Sequence, residues 1–453
     1  MKAEKESLVN VEKHRALIEE AYLHIWKHPE TGYREWKTHA YLAEKFEALG
    51  YSLQPAGNIP GFYTDLDTGR PGPTVAVFGE LDSLIVPTNP EADPDTGYVH
   101  ACGHCAQAAA LLGLAAALKE PGALDALSGR IRLVAVPAEE LIEQTFREDL
   151  RRQGVIRYFG GKPEFLYRGF LDGVDLSFMI HSTPSDIPHY GRVDGGCNGC
   201  NAKKFVFRGV SAHAGNNPHD GINALYAAQT ALGAVNALRE TFRDEDHVRA
   251  HFIITKGGSA MNAIPDEVVV EGAVRANNMD TICAVNDKVN RAMAAAAASM
   301  GCKLTIEDRP GYFPRTTDPL YAEVFRKAME QVLDTVEFDL SAWWTACTDA
   351  GDISAVMPIM HPYIGGCCGT LHGTDFRICD VDTACVDMAK VEYAALTQLL
   401  GEDAAAARQI VENYHPIFPD NAAYFAYMDR LYQDVDAVTY QEDGSVLLTI
   451  REK

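Results

Sequence analysis

Ile131-Arg-Leu-Val-Ala-Val136-Pro137-Ala-Glu139-Glu140 is an apolar, β-branched run that stops at a proline and opens onto two adjacent carboxylates. Its first six residues predict a strand, and the proline ends it. The pattern recurs twice. Thr74–Phe78 leads into Gly79-Glu80-Leu81-Asp82, and the apolar run 176–180 ends at His181. Between the first two, residues 105–119 are rich in alanine and leucine and predict a helix buried on most sides. Strands alternating with helices predict an α/β domain. In an open α/β sheet the ligand site lies beyond the carboxyl ends of the strands. Three strands that each finish on a polar residue therefore predict one shared site.

His100-Ala-Cys102-Gly-His104 immediately precedes the buried helix. Together with Glu139 and Glu140 it supplies a thiolate, an imidazole and two carboxylates, the ligands and base of a metal-activated water. Mixed sulfur and nitrogen donors favour zinc, manganese or cobalt over magnesium. The adjacent carboxylates can divide the work, one on the metal and the other accepting a proton.

Working outward, residues 8–50 predict two helices broken at His28-Pro-Glu-Thr-Gly-Tyr-Arg-Glu35, where Pro29 and Gly32 supply turn chemistry. Gly195-Gly-Cys-Asn-Gly-Cys200 predicts a hinge. Beyond it lie a strand (202–208), a helix (221–239), two strands (250–256 and 266–275), a helix (280–300) and a strand (302–307). That β-α-β-β-α-β order is the ferredoxin-like α+β pattern, long enough for an independent small domain. Pro310-Gly-Tyr-Phe-Pro314 breaks the chain, and residues 403–453 add a helical segment and a hairpin at Asp443-Gly444. The expected layout is a catalytic domain of 1–196 and 312–453, interrupted by an inserted domain of 197–311.

At 453 residues and 47% hydrophobic, the chain is too long for a single core. A formal net charge of −23 argues against a nucleic-acid partner, and an anionic substrate would need a local cation. No eighteen-residue apolar stretch occurs, so no membrane span is expected. The start, Met1-Lys-Ala-Glu-Lys-Glu6, is charged, unlike a signal peptide. Eleven cysteines, an odd number without extracellular signs, predict reduced thiols in the cytoplasm.

Seven segments now occur in order: His28–Glu35, Gly79-Glu-Leu-Asp-Ser-Leu84, His100–His104, Pro137–Glu140, Ser211-Ala-His-Ala-Gly215, Gly257-Gly-Ser-Ala-Met-Asn-Ala-Ile-Pro265 and Leu371-His372. Together they resemble the M20 metallopeptidase/amidohydrolase family, in its branch of aminoacylases, auxin-conjugate hydrolases and p-aminobenzoyl-glutamate hydrolases. Thr348-Asp-Ala-Gly-Asp352-Ile-Ser354 is most similar to the last group. The resemblance implies a zinc-peptidase-like catalytic domain with a mixed sheet, plus an inserted dimerisation or lid domain. It implies one or two divalent ions on Cys102, His104, Glu140, His181 and His372, with Glu139 as general base and Asp82 orienting His104. His213 is implied to reach the partner subunit's site as an oxyanion donor, so a homodimer is expected. Asn262 and Arg275 resemble substrate-binding groups, the arginine for a terminal carboxylate. The implied substrate is a small amide bearing a carboxylate.

The chain departs from that pattern at Cys105 and Gln107, at Glu80 where many branches carry Asp or a His ligand, and at Gly351 in place of a glutamate. Cys105 and Gln107 leave open altered chemistry or a binding-only role. Cys102-Gly-His-Cys105 before a helix also matches a thiol–disulfide exchange site, and Cys197 and Cys200 with Cys102 and Cys105 match a structural zinc site. His189, His219 and His361 compete with His181 and His372 as ligands.

Overall fold

The structure is a computed structural model that describes residues 8–451. The charged start Met1–Glu6 lies outside the described residues. The chain forms two compact units, the first of Met1–Gly196, Thr316–Trp343 and Asp352–Asn421, the second of Cys197–Arg315, Trp344–Gly351 and Ala422–Lys453.

The first unit begins with α1 (Arg15–Trp26) and α2 (Trp36–Ala48). It continues through β1 (Phe62–Asp67), β2 (Thr74–Glu80), α3 (His104–Leu118), β3 (Arg130–Val136), α4 (Gly161–Tyr167) and β4 (Leu176–Phe178). Every residue of α3 is buried. Its alanines and Gly113 let neighbours approach closely, and a Cβ on Gly113 would lie 2.4 Å from Ile18 of α1. The sheet runs Gln54–Pro55, β1, β3, β2, β4, Ile359–Met360. β3, β2, β4 and Ile359–Met360 are mutually parallel, while β1 is antiparallel to β3. β2 is buried along its whole length, as expected of a parallel strand covered on both faces. The carboxyl ends of four strands therefore share one edge of the sheet. There the chain delivers Glu80 and Asp82, Glu139 and Glu140, His181, and His361.

The second unit contains β5 (Gly199–Arg208), α5 (Ala224–Ala237), β6 (Arg249–Lys256), β7 (Glu267–Ala276), α6 (Met279–Ser299) and β8 (Lys303–Pro310). The strands lie in the order β6-β7-β5-β8, all neighbours antiparallel. Alanine faces of α5 and α6 pack on Phe205, Phe207, Val268 and Val270.

Four local expectations need correction. Residues 422–453 were expected in the catalytic domain, yet Ala422–Lys453 belongs to the second unit. There Gln433–Asp436 adds a strand beside β8, in register Thr305↔Asp436. Gln433-Asp-Val-Asp436 covers an edge that would otherwise expose unpaired backbone, but it is too short and polar to announce itself as a strand. The hinge expected at 195–200 is extended backbone, split between the strand Tyr190–Cys197 and β5. Its Gly199 is needed because a Cβ would lie 2.4 Å from the Tyr312 carbonyl oxygen. Pro310 closes β8 instead of breaking the chain before it. The strand expected over 176–180 stops at Phe178. The terminal hairpin is present, Val438–Tyr440 against Val446–Leu448, with Gly444 in the turn at φ +83°.

Candidate metal centre

The strand-end loops of the first unit converge on three groups of donor atoms, each with its atoms within 4.8 Å of one another. They are Cys102, His104 and His181; Cys102, Glu140 and His372; and Glu80, His104 and Glu139. Cys102 and His104 flank Gly103, whose φ of +92° lets the chain turn sharply into α3. The Cys102 Sγ lies 3.3 Å from His181 Nε2 and 3.4 Å from His372 Nε2. His372 arrives from a distant loop, tied to the same segment by its backbone N–H donating to the Ala101 carbonyl at 2.9 Å.

Asp82 joins the groups together. It is fully buried, with Oδ1 2.9 Å from His104 Nδ1, and its Oδ2 accepts from the Glu140 backbone N–H at 2.8 Å. The loop Pro137–Glu140 is pinned on every side. Ala138 sits at φ +59°, its N–H donates to Glu35 Oε1 at 2.8 Å, and Arg147 donates to the carbonyls of Ala138, Glu140 and Phe159. α4 backs the loop so closely that a Cβ on Gly161 would lie 1.6 Å from the Pro137 oxygen.

The residues fit a divalent cation. Glu80 Oε2, His104 Nε2 and Glu140 Oε1 are buried with no hydrogen-bond partner. Glu80 Oε2 stands 3.2 Å from His104 Nε2, and Glu140 Oε1 stands 3.1 Å from His372 Nε2, without a hydrogen bond in either case. Buried polar atoms left unpaired are costly, and a set of sulfur, nitrogen and carboxylate donors suits borderline transition metals. The electrostatics agree. Burial pulls the His372 imidazole down, but Glu140 and Cys102 outweigh it and hold it up at about 11. Burial likewise opposes His104, yet Glu80, Cys102 and Asp82 raise it well above its ordinary value. Burial and Glu140 push the Cys102 thiol up, while His181 and His104 bring it down to about 6. The position is one of strong negative potential, the condition for holding a cation.

Sequence reading noted Glu80 but left it outside the ligand set, whereas here it forms one of the three groups. It also missed Lys162, whose Nζ lies 2.5 Å from Glu80 Oε1, both side chains fully buried. It missed Arg147, and it treated Glu35 only as part of a turn motif. A buried lysine reaching a strand end from α4 leaves no local sequence signal. Among the competing histidines, His189 pairs with Asp387 at 2.9 Å, His219 lies exposed beside Asp220, and His361 stacks on His181 with ring centroids 5.8 Å apart. Among the described residues, Cys105, Cys197 and Cys200 join none of the three groups. Cys105 is buried in α3, its thiol pushed up to about 12 by burial. Cys102, the lowered thiol of the pair, faces His181 and His372 in the donor groups. Gln107 accepts from the Glu80 backbone N–H at 3.2 Å. Gly351 leaves no room for a glutamate, since a Cβ would lie 1.8 Å from the Phe313 oxygen.

His213, Asn262 and Arg275 belong to the second unit. His213 bridges Ala263, and the Asn262 carbonyl accepts from Ala214 N–H at 2.9 Å, so the two motifs lie side by side. Arg275 is half-buried in β7, opposite Cys200 and Arg249.

Residues 62–398 match peptidase family M20/M25/M40. N-acetyl-L-cysteine deacetylase of Bacillus subtilis (strain 168) is 27% identical over 69% of this chain and 72% of its own length. Thermostable carboxypeptidase 1 of Saccharolobus solfataricus is 27% identical over 69% of this chain and 77% of its own. The fold is shared with Bacillus subtilis YxeP, a dinuclear metal-binding peptidase of the M20 family. That likeness has a TM-score of 0.63 at 20% identity, over 86% of this chain and 99% of the other. With its convergent donor groups and this match, the chain belongs to peptidase family M20/M25/M40 and is a metal-dependent hydrolase.

Proposed function

We propose that the protein cleaves the amide bond of a small N-acyl amino acid, an aminobenzoyl-glutamate-like compound or a dipeptide, and releases a free amino acid. Cys102, His104, Glu140, His181 and His372 would hold one or two zinc, manganese or cobalt ions, with Glu80 beside them. Such an ion, when bound, polarises the amide carbonyl and lowers the pKa of water from 15.7 toward about 7. The observation that carries this reading is the convergence of three buried, unpartnered donor atoms at the ends of parallel strands.

Glu139 neighbours the ligand Glu140 on a pinned loop, and its Oε2 lies 4.0 Å from His104 Nε2. From there it takes a proton from the attacking water and returns it to the departing amine. Asp82 fixes His104 with Nδ1 protonated, leaving Nε2 as the coordinating atom. His213 accepts from the N–H groups of Gly215 and Asn216 at Nδ1, which places its proton on Nε2. That is the donor an oxyanion needs. Arg275 would fork the substrate carboxylate, with Asn262 as a further contact. The second unit is read as a ferredoxin-like lid, supported by the strand order β6-β7-β5-β8, and as the contact of a homodimer in which His213 serves the partner's site. A cytoplasmic location is supported by eleven free cysteine thiols. No described helix is long and apolar enough to cross a membrane. A deacetylase of an N-acetyl amino acid and a carboxypeptidase among the relatives support an amide next to an amino-acid carboxylate.

The test is Glu139→Ala, assayed against N-acyl amino acids, aminobenzoyl-glutamate and β-alanyl dipeptides, with metal content measured in parallel. Metal should be retained while turnover falls by about 10²- to 10⁴-fold. Unchanged turnover would refute the base assignment.

A further inference from the structure

The second unit holds a cavity of about 50 Å³ that hydrolysis leaves without a role. It has room for roughly three to five water-sized centres, the scale of a very small ligand. Its walls have two origins. Asn201 of β5, Asn286 of α6 and Asp308 of β8 form the buried end. Arg430, Gln433 and Arg451 come from the C-terminal segment, past residue 398 where the family match ends. The cavity exists because that segment adds its strand beside β8.

The two ends differ chemically. At the buried end the polar groups are committed to one another. Asp308 Oδ2 accepts from Asn286 at 2.7 Å and Asn290 at 3.1 Å, and its Oδ1 is paired with the fully buried Lys203. Asn201 Nδ2 donates to Asn286 Oδ1 at 3.1 Å. Of the side chains that line the cavity, two amide oxygens are left over. Asn201 is only 5% exposed, and its Oδ1 has no hydrogen-bond partner; Gln433 Oε1 is likewise buried and unpartnered. Both call for an N–H or O–H donor in the cavity. At the other end stand the exposed guanidinium groups of Arg430 and Arg451, the latter donating also to Asp287 at 2.5 Å. Arg451 keeps guanidinium donors beyond the one given to Asp287, and guanidinium forks suit a carboxylate.

We infer that this cavity binds a small free α-amino acid, its ammonium group on the amide oxygens of Asn201 and Gln433 and its carboxylate between Arg430 and Arg451. The binding stands on these residues alone. Only its meaning, that occupancy reports the level of released product, rests on the reaction proposed above.

The test is isothermal titration calorimetry of the full chain carrying Arg275→Ala, which removes the proposed substrate-carboxylate contact. The probes are glycine, alanine and serine, with propionate as the amine-free control. Saturable binding of one amino acid per chain is expected, weakened by about tenfold or more when Arg430→Ala is added. Arg430→Ala should leave basal hydrolysis unchanged. Asn201→Leu should abolish binding, with a thermal melt to read folding; Arg430 is exposed, so its variant stands even if the leucine variant does not fold. Absence of saturable binding, binding indifferent to Arg430→Ala, propionate binding as well as the amino acids, or binding seen in the wild type but lost in Arg275→Ala would each overturn the inference. An empty hydrolysis screen would sink the proposed reaction and leave this titration standing.

Discussion

Asp82→Asn changes almost no volume and should still disable the metal centre. Asp82 is fully buried and makes two contacts, 2.9 Å to His104 Nδ1 and 2.8 Å to the Glu140 N–H. Both partners are donors, so both carboxylate oxygens must accept. An asparagine offers one acceptor and one donor. Turned one way, its NH₂ meets the Glu140 N–H. Turned the other way, it makes Nδ1 the acceptor and drives the imidazole proton onto Nε2, the nitrogen that faces Glu80 and Glu139. Either orientation gives up a charge-assisted bond to the carboxylate, worth about 1.5–3 kcal/mol. At about 1.4 kcal/mol per factor of ten, that corresponds to roughly a 10- to 100-fold loss, the range typical of groups that orient metal-bound histidines. The carboxylate is also ionised in the native state, since His104 holds its pKa below the usual value against the opposing effect of burial. The assay is a chelator-competition titration of metal affinity, paired with kcat/KM at saturating metal and a thermal melt of the metal-free protein. Affinity and kcat/KM should both fall by the stated factor. Metal affinity and kcat/KM within twofold of the wild type would show that His104 needs no carboxylate partner, and the tautomer argument would be wrong.

Gly161→Ala should destabilise the protein by about 1–3 kcal/mol in denaturant melts and depress turnover, because the added Cβ would meet the Pro137 oxygen at 1.6 Å and displace the loop bearing Glu139; wild-type behaviour would contradict that packing. Glu392 is 1% exposed with neither oxygen partnered, and burial alone raises its pKa well above 4.5. The unfolded chain ionises this group above about pH 4.5 while the folded chain keeps it protonated, so its presence costs stability increasingly as pH rises from there toward the folded pKa, at up to about 1.36 kcal/mol per pH unit. Glu392→Gln should therefore gain stability at pH 8 and lose that advantage below pH 4.5; a pH-independent difference in urea melts would rule out this origin. Chelation should lower the melting temperature and readdition of zinc or manganese restore it, by mass action worth about 2.7 kcal/mol at a hundredfold excess over Kd; an unmoved melt would argue against ligation.

The strand ends were legible because their signals are local. An apolar run that stops at Pro137 and opens onto Glu139-Glu140 states both the strand and the chemistry at its end, and α3 declares its burial by its alanines. The partners of those loops were not legible. Glu35, Arg147 and Lys162 reach the site from elements with no periodic link to it, and only the folded chain shows that Lys162 meets Glu80 across 82 residues of sequence. The edge strand Gln433–Asp436 failed for a different reason. Its exposed position permits acidic residues, so the alternation that marks a half-buried strand is weak. Only two of its positions, Gln433 and Val435, face inward enough to lose substantial solvent.

The ammonium group of Lys162 beside Glu80 is a charge that no chelator can remove. A centre crowded with acids would repel itself once emptied, and such a cluster would tend to pull its loops apart. The buried lysine sets a counterweight against the innermost carboxylate that belongs to the chain itself and not to any occupant.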